Sequence, residues 1–169
     1  EAIHSSNFLS NFSSSIFVHP TDFYSGAFPA EYGNALAGIF DMKLRNGNID
    51  KREYAVQAGF LGIDLSSEGP FKKGSKATYL FNYRYSTLGL MKAFMPPNSG
   101  LPDYQDLSFK FNFPNKHGSF SIWGIGSNDN YPKPQINDSV KWETADDRTY
   151  FKWHMNMGAA GLTHRVLLG

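Results

Sequence analysis

The chain has 169 residues, a net charge of +1 and no cysteine. Scattered basic residues and a charge near zero give no bulk electrostatic case for nucleic-acid binding. The lack of cysteine excludes disulfides and thiolate metal sites. Aromatic residues make up 16% of the chain, although its mean hydropathy is −0.40. This mixture is typical of sheets with one apolar and one polar face, in soluble proteins and in membrane barrels alike.

Residues 1 to about 47 are rich in Ser, Gly, Ala and Phe and show weak periodicity. No stretch approaches the roughly 18 apolar residues of a transmembrane helix, and no signal-peptide pattern opens the chain. The chain starts without such a leader and stops within an apolar strand pattern. We therefore expect it to be an internal fragment of a longer protein.

The first alternating segment lies between Glu53 and Phe71. Its apolar residues fall at even positions up to Phe60 and at odd positions from Leu61. A β-bulge in one long strand explains this phase change, and so does a tight hairpin of two shorter strands. We favour the hairpin, because each half then has about the 9–11 residues that cross a membrane as a tilted strand.

Later segments alternate more clearly, since successive side chains of a strand point to opposite faces. If the sheet spans a membrane, the aromatic set is expected to face lipid and the polar set an enclosed wet lumen. The lipid-facing candidates are Tyr79, Phe81, Tyr83, Tyr85, Phe109, Phe111, Phe113, Phe151 and Trp153. The lumen-facing candidates are Gln57, Asp64, Glu68, Asn82, Arg84, Lys110, Asn112, His154 and Asn156. A soluble sheet with a solvated outer face remains the alternative.

These patterns predict six strands, at 52–60, 61–71, 75–88, 105–114, 118–128 and 147–168. Turn residues at 69–74 and 114–118 make short connections, whereas 89–103 and 128–147 are longer and contain several Pro, Asn and Asp. Outer-membrane barrels have the same alternation of short periplasmic turns and long extracellular loops.

A more specific signal lies at residues 24–48, which run from Tyr-Ser-Gly-Ala-Phe-Pro-Ala-Glu-Tyr-Gly to Met-Lys-Leu-Arg-Asn-Gly-Asn. This segment resembles the end of the plug domain in TonB-dependent outer-membrane receptors, especially those of Bacteroidetes-like bacteria. The matching positions are Gly26, Pro29, Ala30, Tyr32, Gly33 and Gly38. Residues 39–45 resemble the last plug strand, and residues 59–71 resemble the first barrel hairpin.

The resemblance implies an all-β fold, in which residues 1–47 end an internal plug and residues 48–169 begin a large transmembrane antiparallel β-barrel. It implies active import of a nutrient across the bacterial outer membrane, with loops 89–104 and 129–147 facing the ligand. The substrate stays unknown; oligosaccharides, peptides, iron chelates and vitamins are the candidates. The expected partners are TonB, contacted through a part of the protein outside this chain, the outer-membrane lipid and a surface lipoprotein.

No enzyme is expected, because no nucleophile elbow, P-loop or acid–base constellation is present. The five histidines lack metal-ligand spacing, and the acidic loop residues lack the order of a calcium loop, so no metal or cofactor is expected. The alternative function is a structural or adhesive outer-membrane barrel or a passive porin. That alternative shares the strand pattern and needs no plug.

Overall fold

The computed structural model describes residues 22–24, 30, 38–41, 44–59, 62–89, 94, 101, 103–133, 135–142 and 145–167. The chain divides into two compact units, Glu1–Asn46 and Gly47–Gly169. The sequence-based boundary was placed between residues 47 and 48. In the first unit, β1 (Asp22–Tyr24) pairs antiparallel with β2 (Ile39–Asp41).

The second unit is a six-stranded antiparallel sheet in which every strand pairs with its sequence neighbours. Its strands are β3 (Glu53–Ala58), β4 (Gly62–Pro70), β5 (Thr78–Ser86), β6 (Asp103–Asn115), β7 (Gly118–Lys133) and β8 (Phe151–Val166). The described residues contain no α-helix, so the all-β antiparallel fold class is confirmed. The sheet is open, with β3 and β8 at its edges. A closed barrel is therefore not formed by this chain.

The phase change near residue 60 corresponds to a hairpin. β3 and β4 pair antiparallel up to Ala58 and Ile63. The backbone N–H of Gly59 donates to the carbonyl of Gly62 across 2.9 Å. Because the chain reverses here, the apolar residues of both strands keep to one face although their parity changes.

Two short connections lie at the opposite end of the sheet, at residues 71–77 and 116–117. In the first, Ser75 N–H donates to the Lys72 carbonyl over 2.9 Å, and Gly74 has a φ of 79°, which a residue without Cβ adopts at little cost. In the second, His117 N–H donates to Asn115 Oδ1 over 2.8 Å. We call this end of the sheet the short-turn end and the other the long-loop end.

β7 is longer than its alternation predicts. The sequence-based strand ends at residue 128, because the following Asn, Asp and Pro are typical of loops. Cross-strand pairing continues to Lys133, opposite Phe151. The connection then contains 3-10 turns at Ser139–Lys141 and Ala145–Arg148. Pairing with β8 therefore overrides local turn propensity in this part of the sheet.

Candidate functional site

The register of the six strands sorts their side chains into two faces. The first, called the polar face, carries Glu53, Gln57, Asp64, Ser66, Glu68, Thr78, Leu80, Asn82, Arg84, Ser86, Asp106, Ser108, Lys110, Asn112, Ser121 and Ser127. Its polar character is clearest on β3–β6, because on β7 and β8 the same face also carries Trp123, Ile125, Phe151, Trp153, Met155 and Met157. The second, called the apolar face, carries Tyr54, Val56, Ile63, Leu65, Tyr79, Phe81, Tyr83, Tyr85, Leu107, Phe109, Phe111, Phe113, Phe120, Ile122, Ala160 and Leu162.

Burial is reversed relative to a soluble sheet. Asp64 and Glu68 are each 9% exposed and Asn82 is 5% exposed, whereas Tyr54 and Val56 on the other face are 70% and 71% exposed. Among the described residues, the only buried hydrophobic side chain is that of Leu80, which lies on the polar face. A one-sided soluble sheet buries its apolar residues and exposes its polar ones. The polar face is therefore the candidate functional surface.

A charged row crosses the polar face where Gln57, Asp64, Arg84 and Asp106 are successive cross-strand neighbours. Arg84 Nη2 lies 3.3 Å from Asp64 Oδ2, and Asn82 Nδ2 donates to the other carboxylate oxygen of Asp64. Both carboxylate oxygens of Asp106 are buried and have no hydrogen-bond partner. The row thus concentrates fixed charge and an unsatisfied acceptor pair on one wall.

A second row lies closer to the short-turn end, where Glu53, Glu68, Leu80 and Lys110 are neighbours. The next row continues the polar character through uncharged groups. There, Ser121 Oγ donates to Asn112 Oδ1 over 2.8 Å. Charged rows thus alternate with rows of hydroxyl and amide groups. Burying such groups in an apolar core would cost free energy, so this face suits contact with water.

The segment before β3 is attached to this surface. Asn48 N–H donates to Glu68 Oε2 over 2.9 Å, and Asn48 Nδ2 donates to Glu53 Oε2 over 3.1 Å. Asn48 Oδ1 accepts from the backbone N–H of Asp50 and of Lys51. The Lys51 ammonium lies 2.7 Å from Glu53 Oε1, and this hydrogen bond raises the pKa of Lys51 above its ordinary value. The entry to the sheet is therefore fixed to two carboxylates.

The apolar face has its own order at the short-turn end. The Phe71 ring stacks on that of Phe113 with centroids 5.6 Å apart and an interplanar angle of 10°. It also contacts the rings of Tyr79 and Phe111 at 5.6 and 5.7 Å. These rings form a continuous aromatic surface, although they remain partly open to the surroundings.

Toward the long-loop end the same face turns polar. Asn128 donates to Asn156 over 2.7 Å, Asn130 donates to Asn128 over 3.3 Å, and His154 Nδ1 lies 2.6 Å from Asn130 Oδ1. We call these four residues the amide cluster. Since β7 and β8 pair through them, their side chains satisfy one another on an exposed surface.

The sequence-based face assignment is wrong for β8. The register places His154 and Asn156 on the face of Phe109, and Phe151 and Trp153 on the face of Asp64. The apolar residues of β8 occupy odd positions in its first half and even positions, such as Leu162, in its second. The face that each side chain of β8 takes is set by the hydrogen bonds between β8 and β7. The alternation in the first half of β8 alone could not predict that face.

On the other strands each candidate set stays together. The lumen candidates Gln57, Asp64, Glu68, Asn82, Arg84, Lys110 and Asn112 share the polar face, and the lipid candidates from Tyr79 to Phe113 share the other. Sequence reasoning missed Asp106 and Asn48, and of the amide cluster it selected His154 and Asn156 but not Asn128 and Asn130. Asp106 lies within the predicted strand 105–114 and follows the alternation of Ser108 and Lys110, so the same pattern could have identified it. No sequence pattern around Asn48 indicates which residues it binds.

Part of the plug motif, namely Gly26, Pro29, Tyr32 and Gly33, lies outside the described residues. Ala30 is exposed, and Gly38 directly precedes β2. Of the expected ligand-facing loops, most of 89–104 also lies outside them, whereas 129–133 belongs to β7. In the second loop, Arg148 lies 4.9 Å from the centre of the Trp142 ring. Trp142 Nε1 donates to the Ile136 carbonyl over 2.7 Å.

In the described part of the chain, no group of three or more His, Asp or Glu side chains is placed to hold a metal ion. No helix in that part is long and apolar enough to cross a membrane. Comparison with family models, with curated proteins and with solved structures finds no match for this chain. The case for a function therefore depends on the two faces of the sheet and on the resemblance in residues 24–74.

Proposed function

We propose that this chain is part of a TonB-dependent outer-membrane transporter that imports a nutrient, with residues 1–47 ending the plug and β3–β8 beginning the barrel wall. The observation that carries the proposal is the inverted burial of the sheet. Asn82 and Asp64 are nearly inaccessible, whereas Val56 and Tyr54 are largely exposed. Barrels in a lipid bilayer turn apolar side chains outward and enclose a polar interior, so the exposed rings meet hydrocarbon rather than water.

The extent of the apolar surface supports the same assignment. On β6 it runs from Leu107 to Phe113, and the residue that precedes it on this face is the polar Gln105. On the same row β7 and β8 are polar, at Asn128 and Asn156, whereas β5 carries Tyr85. A tilted strand crosses the hydrocarbon layer in about 9–11 residues, and the apolar stretch from Leu107 to Phe113 covers seven residues of β6. The longer β7 and β8 would extend beyond the bilayer on the long-loop side.

The transport function rests on the resemblance of residues 24–48 to the plug of TonB-dependent receptors. A plugged lumen requires energy to open, and TonB supplies that energy in this family. The charged rows of Asp64, Arg84 and Lys110 on the polar face suit a wet interior that contacts a plug. The substrate class is left open, because most of the loop at 87–102 lies outside the described residues.

Single cysteines test the orientation, because the chain has none of its own. We expect Ser108→Cys, in cells, to react with a water-soluble maleimide once the lumen is open to solvent. Phe81→Cys, on the adjacent strand and the opposite face, should react with a lipid-soluble maleimide only. Equal reaction of both positions with the water-soluble reagent would contradict a lipid-facing apolar surface.

Uptake by the intact gene product tests active import. Accumulation of its nutrient should stop when an uncoupler collapses the proton-motive force, and deletion of the plug should leave a leak that no longer depends on energy. Uptake that continues unchanged in uncoupled cells would instead favour the passive porin, and no uptake of any solute would favour a structural barrel.

A further inference from the structure

An open groove of about 460 Å³ lies on the apolar face at the short-turn end. It is lined by Arg52, Ser67, Phe71, Tyr79, Phe81 and Phe111. Four of these six side chains are aromatic, and the single charged one is a guanidinium at the entrance to β3. A groove that combines aromatic rings with one cation is complementary to an amphipathic, negatively charged ligand.

Arg52 is held in place by the backbone. Its Nε donates to the Pro70 carbonyl over 3.2 Å, and its Nη2 donates to the Phe71 carbonyl over 2.7 Å. These bonds use part of the five N–H donors of a guanidinium. Within the described residues Arg52 forms no ion pair, while the nearby Glu53 is paired with Lys51. The positive charge is therefore fixed and exposed, and it has no ion-pair partner in the described part of the chain.

The rings next to Arg52 form the apolar part of the groove. Phe71 contacts Tyr79 and Phe111, and Ser67 Oγ donates to the Tyr79 hydroxyl over 3.2 Å. Phe81 is 39% exposed and continues the surface toward the middle of β5. An alkyl chain lying along these rings would leave its charged head at Arg52, because the guanidinium lies at the end of the sheet and the rings extend inward from it.

The charge of the short-turn end favours an anion. The turn at 71–77 contains Lys72, Lys73 and Lys76 and no acidic residue, and the turn at 116–117 contains Lys116. The long-loop end carries both signs of charge, with Asp103, Asp129 and Asp138 beside Lys133, Lys141 and Arg148. Clusters of lysine and arginine near a membrane surface attract anionic lipid head groups.

We propose that this groove binds one anionic glycerophospholipid, whose phosphodiester accepts hydrogen bonds from Arg52 while an acyl chain covers Tyr79, Phe81 and Phe111. Arginine suits this role because its fork can bind two phosphate oxygens at once. The site rests on the proposed function, since it requires the apolar face to meet a bilayer. It adds a specific lipid and a specific residue to that function.

The test uses the intact protein that contains this chain, because an open six-stranded sheet would leave unpaired edges in a bilayer. It is reconstituted in bilayers of phosphatidylethanolamine with a minor fraction of phosphatidylglycerol, and the released protein is examined by native mass spectrometry. We expect retained phosphatidylglycerol on the wild type and about a tenfold loss for Arg52→Gln, which corresponds to about 1.4 kcal/mol. Lys116→Gln removes the same charge at the same end but outside the groove, and it should change retention by less than about twofold, as expected for a screened surface charge. Phe81→Ala should weaken retention without changing the charge.

The outcomes separate the two proposals. Equal retention by the wild type and Arg52→Gln, with normal strand content by circular dichroism and normal insertion, would overturn the lipid site and leave the transporter intact. Failure of the wild type to enter any bilayer would overturn both. Retention that falls as much in Lys116→Gln as in Arg52→Gln would show general attraction of anionic lipid and would also overturn the site. Partial recovery of lipid retention in Arg52→Lys would indicate that the positive charge and the forked guanidinium contribute separately to binding.

Discussion

The two faces of this sheet share one backbone and one register, yet they follow opposite rules. On the polar face, Asp64, Asn82 and Glu68 are buried, and each has a hydrogen-bond partner: Asn82 donates to Asp64, and Glu68 accepts from the Asn48 N–H. On the apolar face, Val56 and Tyr54 are exposed and make few specific contacts. Hydrophobic burial normally supplies the dominant favourable term in folding. The described strands bury the hydrophobic side chain of Leu80 alone, so under the proposed function the bilayer would supply most of this term.

The largest expected effect comes from placing one charge on each face. Phe81→Arg puts a guanidinium in the middle of the apolar surface, and it should cost about 2–4 kcal/mol of stability in a bilayer. Ser108→Arg adds the same charge on the polar face of the adjacent strand, at the cross-strand partner of Asn82, and it should cost far less. Urea unfolding from lipid vesicles measures both. Similar costs for the two variants would mean that the faces do not meet different media.

A smaller effect is expected when one polar contact is removed from each face of β5. Arg84→Gln leaves the buried Asp64 carboxylate without its cation, which lies 3.3 Å away, and it should destabilise the sheet by about 1–3 kcal/mol. Tyr83→Phe removes an exposed hydrogen bond of 3.1 Å to Gln105 and should cost less than about 0.5 kcal/mol. Unfolding curves of both variants give the comparison.

The matched control for the first change is Asp64→Asn in the Arg84→Gln background. It removes the unpaired charge, so the double variant should recover part of the lost stability. If the double variant is less stable than Arg84→Gln alone, the ion pair is not what Arg84 contributes.

The sequence predicts which side chains share a face wherever a strand alternates over its whole length. Phe109 and Lys110 belong to such a strand, and their faces follow from parity alone. β8 fails this condition because its apolar residues change parity near its middle, between Met157 and Leu162. The faces of His154 and Trp153 depended on the pairing of β8 with β7, which is a long-range property that no window of residues contains.

The candidate site was harder to predict from the sequence than the fold. Its charged members Asp64 and Arg84 were identified from alternation, but their contact depends on the register of β4 with β5. Asn48 could not be identified, because its bond to Glu68 joins residues 20 positions apart. The groove at Arg52 likewise requires the turn after Pro70 to return its carbonyl groups to the start of β3.

Two glycines test the packing of each face, and their expected effects are similar in size. A Cβ on Gly161 would lie 2.6 Å from the Trp123 indole on the polar face, and a Cβ on Gly124 would lie 2.6 Å from the Phe109 ring on the apolar face. Either alanine forces its ring to move, at a cost of about 1–3 kcal/mol. Alanine also restricts the unfolded chain more than glycine does, which offsets about 0.4–1 kcal/mol of this loss of stability.

The readout for these variants is tryptophan fluorescence in a background of Trp142→Phe and Trp153→Phe. Gly161→Ala should shift the emission of Trp123, whereas Gly124→Ala should leave it unchanged. Gly126→Ala is the matched control, because its Cβ would meet nothing closer than 3.7 Å. A destabilised Gly126→Ala would indicate that added volume alone, and not ring displacement, explains the losses.

The smallest expected effect concerns the segment at residues 47–52, which touches both faces at the short-turn end. Asn48 contacts Glu68 on the polar face, and Arg52 lines the groove on the apolar face. Asn48→Ala removes the acceptor of the Asp50 and Lys51 N–H groups, so it should cost about 1 kcal/mol and speed hydrogen exchange at Lys51. Asn115→Ala, which removes a comparable bond to His117 N–H in a turn without such a bridge, should affect only its own turn. If Asn48→Ala leaves exchange at Lys51 unchanged, the two faces are not coupled through this segment, and the lipid groove would form independently of the polar wall.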